Sequence, residues 1–401
     1  MTDELARLVA ARGIRAGSDA VLYHRAMEAI DGVTAAYDDG APPQLLMTTY
    51  DYLGVLGHPA VNERAKAAID ELGTGGHCTG TAAGSLRVHR RLEERLAALT
   101  GHDASLLFPS GYQANQSVLP ALAGEGDWVF SDRLNHASLV DGCLAARARG
   151  ARVRVFEHND AEHLGRLLGA APPAALRLVV CDAVFSADGD VLDLPAFDAV
   201  CREYGAVLYL DEAHSLGVFG AGGAGLYEHF RMEDRSRTLT MGALSKTLAS
   251  VGGFVAADRG LVDALRLTAR GHVFSGVLPP SAAAAALAAL DVLDAEGTAR
   301  RAAFWRNVRQ LTMRMREAGL PFPDSCGSGI VPLVVGREER ALAVAEHCRR
   351  NGVMAVPFLW PVCARGQARL RLNVTARHTL EQVDAGVAAL AAAYHATRSQ
   401  A

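Results

Sequence analysis

Between residues 105 and 258, short apolar runs rich in β-branched and aromatic residues alternate with longer stretches of helical period. The runs fall at 105–108, 128–131, 152–156, 176–184, 206–210 and 253–257. Apolar strands separated by helices are the pattern of a mostly parallel sheet buried on both faces, since each crossover needs a helix and each helix covers a face. Such a sheet collects ligands beyond the carboxyl ends of its strands. The residues directly after each run are therefore the first place to look for chemistry. An alanine-rich stretch from Ser281, continued by a helical pattern over 302–318, predicts a helix leaving this domain. A smaller α/β unit should follow, with strands at 330–335 and 368–374. The expected division is an N-terminal segment over 1–55, a large domain over 56–290 and a small C-terminal domain over 291–401.

The strand ends are unusually polar. After the first run comes Pro109-Ser110-Gly111-Tyr112, a turn that opens a helix. Free N–H groups and the positive end of the helix dipole make that turn suited to a phosphate, and Gly111 allows close approach. His136 follows the second run, Ser186 the fourth, and Asp211-Glu212-Ala213-His214 the fifth. A carboxylate at the end of a buried strand needs a cationic partner, because burying a lone charge is expensive. The same Asp-Glu-Ala-His letters occur in nucleotide-driven motors, but no G-x-x-x-x-G-K-[ST] loop exists here, which removes that reading. Gly220 to Gly225 matches G-x-G-x-x-G formally, yet no strand precedes it, so it reads as a flexible glycine loop.

Composition sharpens the choice. The 401 residues are 50% hydrophobic and 21% charged, in the globular range. Forty basic residues against 44 acidic ones leave no positive field for a nucleic acid backbone. The seven cysteines are scattered, with no Cys-x-x-Cys pair for zinc or redox chemistry, and read as reduced thiols. Met1 to Leu5 is acidic and no apolar run is long enough to span a bilayer, so the expectation is a cytoplasmic protein without a membrane span. Lysine occurs only at Lys66 and Lys246. Lys66 lies in a charged amphipathic helix and reads as a solvated side chain. Lys246 follows the apolar Gly242-Ala243-Leu244 and Ser245 and precedes Gly252-Gly253. Burial among apolar neighbours lowers an amine's pKa, as a Schiff-base lysine requires. Phosphate cradle, imidazole, buried acid, hydroxyl donors and one lysine together describe a site for pyridoxal 5'-phosphate (PLP), a cofactor that acts as an electron sink.

The sequence also resembles a known family, the α-oxoamine synthases. The likeness rests on Asp51-Tyr52-Leu53-Gly54, Gly84-Ser85 with His89, Ser110-Gly111-Tyr112, His136-Ala137-Ser138, Asp211 to His214, Ser245-Lys246, Leu278-Pro279-Pro280 and Arg369-Leu370-Arg371. The resemblance implies a fold-type-I PLP-dependent transferase, a homodimer with a large mostly parallel sheet domain and a smaller C-terminal α/β domain. It implies that Lys246 holds PLP and later removes the α-proton of a bound amino acid. Asp211 would pair with the pyridine nitrogen, His136 would stack on the ring, and His214 and Ser186 would hydrogen-bond the ring oxygen. Gly111, Tyr112 and Ser245 would serve the phosphate, and Arg371 would take the amino-acid carboxylate. The implied reaction condenses a small amino acid with an acyl thioester, of coenzyme A or a carrier protein, with loss of carbon dioxide. Several positions depart from the family's pattern. Ala243 and Gly276 stand where many members have phosphate-binding threonines, and Leu359 where the biotin-pathway members have an additional arginine. Leu359 disfavours the biotin branch and favours members similar to serine palmitoyltransferase, while Gly80-Thr81 argues against a succinyl donor. Tyr50, where many members have asparagine, marks a changed acyl-entry region. Aminotransfer on the same fold, or a catalytically silent regulatory subunit, are the competing expectations.

Overall fold

In the computed structural model the described residues are Arg7, 25–38 and 40–398. The acidic start at Met1 to Leu5 lies outside them. In chain order the strands are β1 (Met27–Asp31), β2 (Thr34–Tyr37), β3 (Gln44–Leu46), β4 (Ala104–Phe108), β5 (Trp128–Asp132), β6 (Arg152–Phe156), β7 (Arg177–Asp182), β8 (Val207–Asp211), β9 (Thr238–Ala243), β10 (Gly253–Ala257), β11 (Ile330–Gly336), β12 (Val353–Met354), β13 (Val356–Phe358) and β14 (Ala368–Asn373).

The residues divide into two compact units. The larger, Tyr50–Ser186 with Asp190–Ala302, is built on a seven-stranded sheet in the order β4-β10-β9-β8-β7-β5-β6. From β6 to β9 the neighbours run parallel, while β10 is antiparallel to both β4 and β9. Strands β4, β5, β9 and β10 are buried along their whole length, as expected of a sheet covered on both faces. One face packs through Val118, Leu139 and Val262 of the helices Gly111–Leu122, Ala137–Ala148 and Arg259–Thr268. The other packs through Leu92 and Leu96 of Arg87–Thr100 and Ala283 to Leu290 of Pro280–Glu317. Burying these side chains contributes roughly 1.5–3 kcal/mol each for the larger aliphatics. The expected alternation is thus present, with one strand more than the pattern showed. β9 escapes a hydrophobic reading because Thr238 and Thr240 are polar letters with buried side chains. Their hydroxyls are satisfied internally, Thr240 by His102 Nε2 at 2.9 Å and Thr238 by Tyr227 at 2.5 Å.

The smaller unit gathers the described residues up to Thr49, 187–189 and 303–398. The expected N-terminal segment over 1–55 is divided: β1 to β3 fall with the C-terminal residues, β3 pairing in parallel with β12 about three hundred positions later, while the segment's residues from Tyr50 on belong to the larger unit. Its sheets are β1-β2-β3-β12 and β11-β14-β13. The alanine-rich stretch and the 302–318 pattern are one helix of 38 residues, Pro280–Glu317. Lys66 is exposed and pairs with Glu63 at 2.9 Å one turn away, a solvated face as expected. The glycine segment 220–225 is not a flexible loop. Its N–H groups at Gly222 and Ala224 donate to the Glu228 carboxylate at 2.7 and 2.8 Å, and Gly225 approaches Glu212 so closely that a Cβ there would lie 2.5 Å from Oε2. No helix among the described residues is long and apolar enough to cross a membrane.

Candidate active site

The carboxyl ends of β5, β7 and β8 each close on a buried aspartate: Asp132, Asp182 and Asp211. Asp182 and Asp211 are direct neighbours across the sheet. Burial first, and the adjoining Asp211 carboxylate second, push the Asp182 carboxyl well above its ordinary pKa, which favours its neutral form. Its Oδ2 accepts the backbone N–H of His136 at 2.6 Å, fixing the loop that follows β5.

Both oxygens of Asp211 accept hydrogen bonds from neutral donors. Ala213 N–H reaches Oδ1 at 3.0 Å and the Asn115 amide reaches Oδ2 at 2.9 Å. Asn115 lies on the Gly111–Leu122 helix, fully buried, and its amide is completely used. The Nδ2 group donates to Asp211 and to Ser138 Oγ, both at 2.9 Å, while Oδ1 accepts the Tyr209 hydroxyl at 2.8 Å. Ser138 N–H points at His136 Nδ1 at 3.2 Å, so that nitrogen is an acceptor and the Ser138 hydroxyl, 2.8 Å away, donates to it as well. His136 is thereby coupled to Asp211 through two side chains and is the tautomer with its proton on Nε2. His136 and Ser138 were legible as motif letters; the bridging part of Asn115 and Tyr209 was not, because it exists only once β4, β5 and β8 lie side by side.

The helix that carries Asn115 begins beneath three small residues. Ser110 caps it through Gln113 N–H at 3.1 Å. A Cβ on Gly111 would lie 2.8 Å from Met241 Cε and 3.5 Å from Ala243 Cβ, and a Cβ on Gly253 would lie 2.5 Å from Gly111 Cα. The ends of β9 and β10 therefore tuck against the helix N-terminus, leaving its N–H groups as the cradle. Ala243, the departure from the family's threonine, lines this same floor. Tyr112 is exposed, edge-on to His136 at 6.3 Å, and its hydroxyl donates to Asp141. Ser245 is exposed in the turn beyond β9.

Lys246 sits in that turn, which is closed by Ala249 N–H on Lys246 O at 3.0 Å and Leu244 N–H on Gly252 O at 3.0 Å. Its Nζ lies 5.4 Å from the ring centre of Tyr50. Tyr50 in turn is 6.0 Å from His214, whose Nδ1 is 2.7 Å from the Tyr52 hydroxyl. Tyr52 and His214 follow from the Asp-Tyr-Leu-Gly and Asp-Glu-Ala-His letters; their pairing across 162 positions does not. Ser186 is half-buried, on the hairpin after β7. Arg371 belongs to the smaller unit, buried on β14 opposite Pro332 and Val356, with its guanidinium 4.8 Å from the centre of the Phe358 ring.

The donor set of the larger unit fits PLP. Asp211 is a buried carboxylate whose hydrogen-bond donors are neutral, the complement of a protonated ring nitrogen. Gly111 and Gly253 keep a helix N-terminus clear of side chains, the complement of a phosphate.

Comparison with known proteins agrees. The aminotransferase class I and II family pattern matches residues 42–390. The 8-amino-7-oxononanoate synthase of Geobacter sulfurreducens is 42% identical over 350 residues, 86% of this chain and 88% of that protein. That of Anaeromyxobacter dehalogenans is 46% identical over 342 residues, 85% and 84% of the two chains. Among solved structures, serine palmitoyltransferase from Sphingomonas wittichii superposes with a TM-score of 0.89 at 31% identity, covering 99% of this chain and 96% of that one. A serine palmitoyltransferase carrying PLP as the internal aldimine gives 0.88 at 30% identity, over 94% and 93% of the chains. Both sets of proteins are similar to this one, so Leu359 alone does not decide between their branches. The chain belongs to the class I and II aminotransferase family and, within it, to the PLP-dependent α-oxoamine synthases.

Proposed function

We propose that the protein joins a small amino acid to an acyl thioester and releases carbon dioxide and free thiol, leaving an α-amino ketone. The observation that carries this reading is the buried Asp211 carboxylate, bound through Asn115 and Ser138 to His136 on the sheet edge that also carries Lys246. When bound, PLP supplies a carbonyl that condenses with amines and a protonated ring that accepts electron density from the α-carbon. The side chains do the rest. Asp211 keeps the ring nitrogen protonated, and His136, held by Ser138 and by Asp182 through its backbone, presents its ring as a stacking surface. Ser186 and His214 donate to the ring oxygen, with Tyr52 orienting the imidazole of His214. Gly111, Tyr112 and Ser245 bind the phosphate, and Arg371 takes the amino-acid carboxylate as a bidentate pair. Lys246 Nζ accepts the α-proton. The α-carbon then forms a bond to the thioester carbonyl carbon, the carbon–sulfur bond breaks with departure of the thiolate, the resulting β-keto acid loses its carboxyl group as carbon dioxide, and protonated Lys246 returns a proton to the α-carbon.

The protein acts as a cytoplasmic homodimer in this reading. All seven cysteines are free thiols, and Leu267, Phe274 and Val251 are large apolar side chains left exposed on the larger unit, as a second copy would require. The thioester is carried by coenzyme A or by a carrier protein, which present the same reacting carbonyl.

The test is the visible spectrum of the protein with PLP, followed by titration with glycine, alanine and serine. A band that borohydride traps on Lys246 and that one amino acid displaces identifies the cofactor and that substrate. Incubation with monocarboxylic and dicarboxylic acyl-coenzyme A thioesters then reads the acyl group through the mass of the amino ketone. A protein that shows no band at any PLP concentration overturns the reading.

A further inference from the structure

A second charged cluster stands beside the site. His158 follows β6, and its ring lies between two carboxylates: Nδ1 is 3.0 Å from Asp132 Oδ1 and Nε2 is 2.7 Å from Asp190 Oδ2. With an acceptor at each nitrogen the ring carries both protons. Burial disfavours that cation, but the hydrogen bonds it donates to Asp132 and Asp190, with their negative charges, outweigh burial and raise the pKa to about 10. Asp132 and Asp190 are themselves 1% and 5% exposed, so two buried anions share one imidazolium. The edge of the ring pair is completed by Phe185, at 4.4 Å and 89°.

The next residue, Asn159, adopts a positive φ of 51° and ties the same elements together. Its N–H donates to Asp132 Oδ2 at 2.8 Å, its amide donates to Val191 O at 2.9 Å, and its Oδ1 accepts Asp193 N–H at 3.1 Å. What these contacts hold is specific. Asp132 ends β5, and its Oδ1 also accepts Leu134 N–H at 2.7 Å, shaping the turn that delivers His136. Asp190 closes the hairpin that carries Ser186: its carbonyl accepts Phe185 N–H at 3.1 Å, and Val184 bridges to Val191.

We infer that His158 is a positioning residue for the reaction: a fixed cation that locks the His136 turn to the Ser186 hairpin and so sets the stacking imidazole and the ring-oxygen donor in register with each other. The inference rests on the proposed roles of His136 and Ser186. A brace that served folding alone would be felt only in unfolding. A positioning brace is felt in the cofactor, because the two loops it joins carry His136 and Ser186, and it acts there beside the ties that Asp182 and Asn159 make.

Two variants test this, measured as full-length protein with PLP. His158→Gln keeps a donor of similar reach and removes the charge; Asp190→Asn keeps the shape of the hairpin and removes one of the two anions. At a temperature where circular dichroism matches wild type, each should weaken PLP binding by about tenfold, shift the visible band, and lower kcat more than it raises the amino-acid KM. Tenfold corresponds to the loss of about 1.4 kcal/mol, the scale of a single charge-assisted hydrogen bond. Wild-type PLP affinity, band position and kcat in folded His158→Gln overturn the inference, as does the same result in Asp190→Asn should His158→Gln fail to fold. In either case a wild-type protein that still shows a borohydride-trapped band at Lys246 leaves the proposed function standing. Absence of that band from wild type itself removes both.

Discussion

Tyr209→Phe removes one oxygen atom from the middle of the buried network and nothing else. Tyr209 and Asn115 are both fully buried, so the hydroxyl and the amide oxygen it serves have no access to bulk water. The hydroxyl donates to Asn115 Oδ1 at 2.8 Å, while both amide hydrogens are already used on Asp211 and Ser138. Asn115 cannot recover by flipping, because a flipped amide would turn its oxygen toward the Asp211 carboxylate. The phenylalanine ring fills nearly the same volume, so the cavity term is small and the cost is that of an unsatisfied acceptor, about 1–3 kcal/mol. Asn115→Ala is a harsher change, since it strands Asp211 Oδ2, Ser138 Oγ and the Tyr209 hydroxyl together, and at roughly 1–3 kcal/mol for each group it should cost more than about 3 kcal/mol.

The assay is urea unfolding of the PLP-free protein for wild type, both single variants and the double variant. Because the two side chains share one hydrogen bond, the double variant should be more stable than the sum of the single losses implies, by about 0.5–3 kcal/mol. PLP affinity should follow a different order: nearly unchanged in Tyr209→Phe, where Asp211 keeps both donors, and weakened in Asn115→Ala. A fully additive cycle, or a Tyr209→Phe protein as stable as wild type, would refute the bridge from Tyr209 through Asn115 to Asp211.

Other variants probe the remaining parts. Lys246→Ala should retain the fold by circular dichroism, lose the borohydride-trapped band, and form amino ketone at least roughly 10²–10⁴-fold more slowly, the range of a lost general base. Ala243→Thr places a hydroxyl on the floor of the helix N-terminus, next to Gly111, and should tighten PLP binding by about tenfold, read by equilibrium titration; unchanged affinity would place the phosphate elsewhere. Glu212 is buried, and burial raises its pKa from 4.5 to about 7 against the hydrogen bonds from Ser215 and Leu226 N–H. The folded state therefore holds a proton there that the unfolded state releases, so this group's effect on stability worsens as pH rises from 4.5 to 7 and levels off above. Glu212→Gln should remove that slope, a change on the order of 3 kcal/mol between about pH 5 and about pH 8, measured by urea midpoints.

Much of the larger unit was legible in the sequence because its strands are buried on both faces and so read as uninterrupted apolar runs. The site was legible for the same reason: chemistry placed at strand ends follows directly after such a run, as His136, Ser186 and Asp211 do. What the letters hid has physical causes. Thr238 and Thr240 look polar, yet their hydroxyls are satisfied by Tyr227 and His102 inside the sheet, and β9 was missed. Asp182 was absorbed into the apolar run at 176–184, since its carboxyl is buried and favours the neutral form. β3 finds its partner β12 near the far end of the chain, a pairing no local window contains. His158 carried no motif at all; its role comes from two aspartates that are 26 and 32 positions away.

The buried acids of this sheet edge divide their labour by what each one faces. Asp132 and Asp190 share the imidazolium of His158, Asp182 is pushed toward neutrality beside Asp211, and both oxygens of Asp211 accept from neutral donors. Of the four, Asp211 is the one that Asn115 and Ser138 connect to His136. A sheet edge with several unpaired acids would attract any cation. Here His158 stands between two of the acids and burial disfavours the charge of a third, which leaves Asp211, with neutral donors on both oxygens, as the acceptor our reading assigns to the cationic ring nitrogen.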